Sequence, residues 1–254
     1  MNRKSFIGAL ALLVSCLCFA QSTAIPGSDW TGYAGVGAAA FPKYSGGKGT
    51  EVFLAPILMF EYKETYYVDL MRAGVRLWSS ADKKVALGLA AEPRFGFRAT
   101  DGVRLAGMAQ RRSSIEMGPN LEWETPLVSL SLAWFTDMSR ASKGSSLRAT
   151  AYRQLINTSR WDVGVYASAE QESARVVNYY FGVPVAEVAA NRGFYAPGAT
   201  THWGVGVQAA WKFSERNSLL MGVQGTRLGG AAANSPIVET RSAPLGYIGL
   251  GWNL

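Results

Sequence analysis

The chain has 254 residues, 48% of them apolar, with 28 glycines and a formal net charge of +7. The cations are scattered rather than gathered into a basic stripe, which argues against a nucleic-acid partner. Beyond the first twenty residues the longest apolar run, 53–60, is too short for a membrane-spanning helix, so the apolar content must be spread over another pattern.

The chain opens with Arg3 and Lys4, an almost wholly apolar stretch over 6–20, and the polar break Gln21-Ser22-Thr23. That is the order of a secretory signal peptide. Cys18 and Ala20 supply the small residues three before and one before a cut, which places cleavage after Ala20 and a one-domain mature chain at 21–254. A second reading, a lipoprotein box at Leu13-Val14-Ser15-Cys16, would leave Cys16 lipidated, although a barrel already has its membrane anchor. Cleavage after Ala20 removes both cysteines, and with them disulfide and thiolate chemistry, and lowers the net charge to +5.

Period-two alternation recurs from Trp30 onward. Strand starts are predicted at Trp30, Val52, Tyr66, Val85, Ile115, Leu127, Leu147, Trp161, Trp203, Leu219 and Leu245. Over 115–124, Ile115, Met117, Pro119, Leu121 and Trp123 alternate with Glu116, Gly118, Asn120, Glu122 and Glu124; 85–97, 161–169 and 202–213 alternate in the same way. Short turns at 61–64, 124–126, 157–160 and 214–217 contrast with longer loops at 41–49, 138–145, 172–201 and 229–242. Outer-membrane barrels keep short turns in the periplasm and long loops outside. Eleven strands break the parity this requires. The spare segment 103–110 is the candidate for one more crossing, giving about twelve strands, with ten as the alternative. Trp30, Trp123, Trp161, Trp211 and Trp252 fall near predicted strand ends, where aromatic girdles meet headgroups.

The last twelve residues are the most informative. Gly246, Ile248, Leu250, Trp252 and Leu254 share one face, and Leu245, Tyr247, Gly249, Gly251 and Asn253 the other, a strand half in lipid. The spacing Tyr247, Gly249, Trp252, Leu254 is similar to the C-terminal signal read by the barrel-insertion machinery, which more often ends in Phe. Leader, alternation and closing strand together predict an all-β transmembrane antiparallel barrel in a bacterial outer membrane, in contact with its lipid and lipopolysaccharide.

These parities aim Glu92, Arg94, Arg98, Glu116, Glu122, Arg148, Glu170 and Lys212 at the lumen, four of each sign. Such a mixture serves either as a selectivity ring in a pore or as a paired network that plugs a narrow barrel. Balanced charge favours the plug, since a solute pore shows one dominant sign. His202 is the only histidine, so any Ser/His or His-metal scheme must run through it. No serine motif stands beside it and no carboxylate triplet has metal-ligand spacing, so neither catalysis, a metal nor a cofactor is expected. In the longest loop, 185–191 has helical composition after Pro184, and Tyr179, Tyr180, Phe181, Phe194 and Tyr195 form a dense aromatic cluster. That cluster reads as the packing of a folded lid or as a contact site.

Three stretches carry a resemblance. Tyr180-Phe181-Gly182-Val183, Ala190-Asn191-Arg192-Gly193 and Tyr195-Ala196-Pro197-Gly198 resemble the long-loop signature of the MipA/OmpV family, that of the MltA-interacting protein. Ser235-Pro236-Ile237-Val238 is similar to its second signature, and Phe41-Pro42-Lys43-Tyr44-Ser45-Gly46 to its first loop. The likeness spans the mature chain but is poor across 98–114. It implies a non-enzymatic outer-membrane barrel, a scaffold between a lytic transglycosylase and a peptidoglycan synthase. The alternative is a narrow channel for small polar solutes, with an outer-membrane hydrolase as a third reading.

Overall fold

The computed structural model describes residues 28–254; the predicted leader at 1–20, with Cys16 and Cys18, lies outside them. Twelve antiparallel strands close into a barrel. They are β1 (Trp30–Pro42), β2 (Thr50–Tyr62), β3 (Tyr66–Asp69), β4 (Arg72–Ser79), β5 (Val85–Arg94), β6 (Ser114–Glu124), β7 (Ser129–Asp137), β8 (Ser145–Asn157), β9 (Trp161–Glu172), β10 (Thr200–Lys212), β11 (Asn217–Arg227) and β12 (Ser242–Asn253). Each pairs with its sequence neighbours, and β12 returns onto β1 from Tyr33↔Asn253 to Ala40↔Gly246. Among the described residues no helix is long and apolar enough to cross a membrane. A closed barrel needs none, because its ladder satisfies the backbone within the wall.

Alternation decides which side chains meet lipid. In β6, Ile115, Met117 and Trp123 are exposed outside while Glu116, Asn120 and Glu122 are buried inside. The predicted starts at Trp30, Tyr66, Val85 and Trp161 are the observed ones. The twelfth strand is not at 103–110. That stretch forms a 3-10 turn at Val103–Leu105, between Gly102 and the left-handed Gly107 (φ +79°), inside a long loop. The extra strand comes instead from the segment read as one strand from Tyr66. Leu70 adopts φ +54° and reverses the chain at once, splitting it into β3 and β4. No glycine or asparagine marks this turn, so the usual hairpin signal is missing.

Apart from the β3–β4 turn, the short connections lie at one rim and the five long loops at the other, the periplasmic and extracellular sides respectively. Trp30, Trp123, Trp161, Trp211 and Trp252 all sit on the outer surface at the periplasmic ends of their strands, and Trp161 stacks on Trp211 at 6.1 Å. Trp134 and Trp203 occupy the other end.

Inside, several tyrosines lie flat over glycines of the adjacent strand. Tyr67 covers Gly74, Tyr166 covers Gly206 and Tyr247 covers Gly222, in each case the direct cross-strand partner. A methyl group at Gly206 would stand 2.3 Å from the Tyr166 ring. Gly206→Ala should therefore force the ring off its seat and cost about 1–3 kcal/mol, as overpacking does. Gly225, with open space where its Cβ would be, should tolerate alanine. Urea midpoints of the refolded barrels, read by the mobility difference between boiled and unboiled samples, check this pair.

Candidate functional site

The inward positions of β4, β5, β6, β8, β9 and β10 converge on one ion network. Arg94 (β5) is its node: Nε donates to Glu116 Oε1 at 2.6 Å, Nη2 donates to Glu116 Oε2 at 2.9 Å and to Glu170 Oε1 at 2.7 Å, and Nη1 reaches Glu172. Arg148 (β8) spans from Glu92 at 2.6 Å to Glu170 at 2.9 Å, and Arg72 (β4) closes on Glu92 at 2.8 Å. The bonds from β5 to β8 and β9 bridge strands that are not neighbours, so they cross the lumen instead of running along its wall. The fully buried Phe135 ring lies 5.1 Å from the Arg72 guanidinium and 5.6 Å from that of Arg148. Each charge carries its partner into a site without bulk water. Deleting one arginine would strand carboxylates at a cost of about 3–5 kcal/mol.

His202 borders this network. Its Nδ1 accepts the Gly229 N–H at 3.2 Å, and its Nε2 faces Glu172 Oε2 at 3.2 Å. Nδ1 is thereby hydrogen-bonded, and Nε2 lies at ion-pair distance from Glu172. Three arginines meet four glutamates here, with His202 Nε2 lying 3.2 Å from the last.

Of the lumen set predicted from parity, Glu92, Arg94, Glu116, Arg148 and Glu170 come together. Glu122 belongs to a second group, where Arg76 binds it at 2.6 Å and Glu61 at 2.9 Å, and Asn120 joins it to Tyr67. Lys212 is buried on the inner face at the far end of β10. Arg98 is not in the lumen: β5 ends at Arg94, Phe97 bridges to Arg111, and the chain has left the wall before residue 98. Sequence reasoning missed Arg72, Arg76, Glu61, Glu172 and His202. Glu172 and His202 share the inward parity of Glu170 and Lys212, and that signal was available. The arginines were hidden by the unrecognised β3–β4 turn.

Above the network the extracellular loops fold into a cap with its own apolar core. Tyr44, Phe97, Leu105, Met108, Val176, Val177, Tyr180, Phe181, Ile237 and Val238 pack together from four loops. The helix of the longest loop is α1 (Ala174–Phe181), not 185–191, where only the 3-10 turn Val185–Glu187 forms. The spacing of Val176, Val177, Tyr180 and Phe181 gives α1 the buried face that 185–191 lacks. Of the aromatic cluster, Tyr180 and Phe181 are interior, Tyr195 donates its hydroxyl to Ala231 O at 2.7 Å, and Phe194 is 61% exposed. Tyr44 ties the first loop to the last through Ile237 O at 2.9 Å. Between cap and network lies a cavity of about 20 Å³, lined by Arg94, Phe95, Glu172, Phe181 and His202, the room of a single water.

The closing strand presents Trp252 outward and turns Tyr247 inward onto Gly222; Gly249 is buried, and Leu254 follows the last strand residue, its N–H bonded to Gly32 O.

The model of the family described as "MltA-interacting protein MipA" matches residues 34–254. The chain belongs to the MipA family. Two curated relatives are similar over 134 residues: the outer membrane protein Omp26La of Vibrio anguillarum, 29% identical, and the outer membrane protein OmpV of Vibrio cholerae serotype O1, 27% identical. Each match covers 53% of this chain and 52% of the relative, so the alignment spans about half the length of either relative. Among solved structures, the NanC porin (11% identity, 88% of this chain and 100% of that chain, TM-score 0.48) is similar in fold. So is the N-terminal barrel domain of Pseudomonas aeruginosa OprF (13%, 67% and 98%, TM-score 0.31). The protein is an outer-membrane β-barrel of the MipA/OmpV type.

Outside the wall, one ion pair holds two cap loops together. Arg111 binds Glu187 at 2.6 Å, and this guanidinium keeps the Glu187 carboxyl below its ordinary value of 4.5. A depressed carboxylate contributes stability that is complete above the unfolded value and is lost as pH falls through the lower folded one. The loop around residue 187 should therefore loosen only below about pH 4.5, while the barrel stays closed. Protection factors over 183–195, with amide exchange corrected for its intrinsic pH dependence, should fall in that range, and Glu187→Gln should show the lowered protection already at pH 7.

Proposed function

We propose that this protein is a closed, non-enzymatic barrel acting as a binding or scaffold protein of the outer membrane, its short turns serving peptidoglycan-synthesis enzymes. The observation that carries this reading is the lumen. Arg94 and Arg148 stitch it across, the loop cap covers it, and the cavity between them holds about one water. A barrel so filled offers its surfaces rather than its bore. His202 Nδ1 is held by the Gly229 N–H, its ring is buried against Glu172, and no serine motif stands beside it, which supports a role without catalysis.

The two rims differ in charge, which supports two kinds of contact. At the extracellular rim the exposed charges of the described residues are cations, among them Lys48, Arg112, Arg140, Lys143, Arg175, Arg227 and Arg241, while Glu51, Asp101, Glu187 and Glu239 are half-buried. Lipopolysaccharide phosphates are the matching surface. The periplasmic turns carry both signs, with Lys63, Lys84, Arg160 and Arg216 beside Glu64, Asp82 and Glu215. A family described by its interaction with MltA, a lytic transglycosylase, needs its contact on this side.

Photo-crosslinkers placed at Lys84, Arg160 and Arg216, with Phe194 as the extracellular comparison, test this assignment in native outer membranes. The turn positions should capture a lytic transglycosylase or a peptidoglycan synthase, and Phe194 should capture neither. Capture of these enzymes through Phe194 alone, or through no position, would overturn the scaffold role.

A further inference from the structure

The β3–β4 hairpin turns back part-way up the wall. On one flank its ladder with β2 runs from Tyr62↔Tyr66 to Met59↔Asp69, and the Leu70 N–H then bonds Leu58 O at 2.7 Å. Beyond that point no described strand lies beside residues 50–57 of β2 on the side away from β1. On the other flank β4 stops at Ala73↔Ala91, leaving residues 92–94 of β5 with no described strand on that side. The extracellular half of the wall is thus notched between β2 and β5.

Both lips are fitted to an open edge. The Leu254 N–H bonds Gly32 O, so Gly32, and with it Val36, aims its backbone at β12; Pro56, the cross-strand partner of Val36, therefore aims away from β1 and into the notch. The Met138 N–H bonds Ile115 O, so by the same alternation Pro93, opposite Ile115, also faces the notch. Proline is tolerated in a sheet where its missing N–H meets no partner strand. The two prolines also oppose the addition of a further strand here, since neither can donate to a ladder.

The β2 side of the notch is apolar inside and out, while on the β5 lip the inward Glu92 and Arg94 are taken up by the ion network. Phe53, Met71 and Phe95 form its floor, packed on Phe41 and Leu245. Val52 and Leu54 stand on the outer face, and Leu54 is 83% exposed. At the rim, two residues before β2 and two before β6, stand the exposed cations Lys48 and Arg112.

The geometry points to a binding site for an outer-leaflet amphiphile, with one acyl chain in the notch against Phe53, Met71 and Phe95 and its phosphate headgroup beneath Lys48 and Arg112. The site depends on the barrel lying in the membrane and is independent of the scaffold role. The sealed lumen behind it makes it a place where a lipid is held rather than a route through the protein.

The test uses the full barrel with a bimane fluorophore on a single cysteine at Phe53→Cys, an inward position behind the notch, and at Thr150→Cys, an inward position behind an unbroken ladder. A Phe95→Cys chain serves as a second notch position, and only preparations with the unboiled folded mobility are read. In vesicles whose acyl chains are brominated, positions 53 and 95 should be quenched at least twofold more than position 150. Quenching should be stronger with phosphatidic acid than with phosphatidylcholine, and Lys48→Glu with Arg112→Glu should abolish that headgroup difference. Equal, weak quenching at 53, 95 and 150 would overturn the site. Strong quenching that ignores the headgroup would overturn phosphate recognition. Cross-linking of residue 53 to a second polypeptide without lipid contact would replace the lipid with a strand partner.

Discussion

In a lipid bilayer a backbone amide without a partner is costly, and the whole architecture follows from meeting that constraint. A sequence that alternates apolar and polar residues can satisfy it only as paired strands, and strands without free edges only as a closed barrel. The ladder therefore runs round to β12 and β1, whose facing positions hold small residues such as Gly35, Gly37, Gly249 and Gly251. Where the ladder fails, between β2 and β5, the chain places Pro56 and Pro93 on the lips, reducing the donors left without a strand partner.

Closure creates a second problem, an interior lined by every other residue of the wall. The protein solves it differently on the two sides of the lumen. Along β4 to β10 the inward residues include the Arg and Glu that pair across the bore, while along β1, β2 and β12 they include Tyr33, Phe41, Phe53, Ile57 and Leu245. The ionic side pins opposite strands to one another and fixes a single arrangement. The apolar side packs against the hairpin turn, where Leu70 and Met71 fold toward it. The loop cap adds a third layer, with Tyr44, Arg111 and Arg192 tying separate loops together through backbone carbonyls.

Much of this was legible in the sequence because period two is a strong signal when both faces are chemically distinct. The outward face of β6 and the inward set Glu92, Arg94, Glu116, Arg148 and Glu170 followed from parity alone. The β3–β4 reversal was not legible, since a leucine at positive φ gives no local warning, and Arg72 and Arg76 were lost with it. The position of α1 was missed because helical composition at 185–191 outweighed the two-residue apolar pairs of Val176-Val177 and Tyr180-Phe181. Which charges pair across the lumen is a property of closure, and no local pattern encodes it. The aromatic cluster of the long loop was visible as a cluster, but only packing distinguishes the buried Phe181 from the exposed Phe194.

A filled lumen has one direct electrical consequence. Purified barrel reconstituted into a planar bilayer at neutral pH should insert without opening steady, porin-sized current steps, because the Arg94 and Arg148 pairs and the cap close the bore. Steady ohmic conductance from the wild-type protein would contradict the closed lumen and favour a narrow channel for small polar solutes.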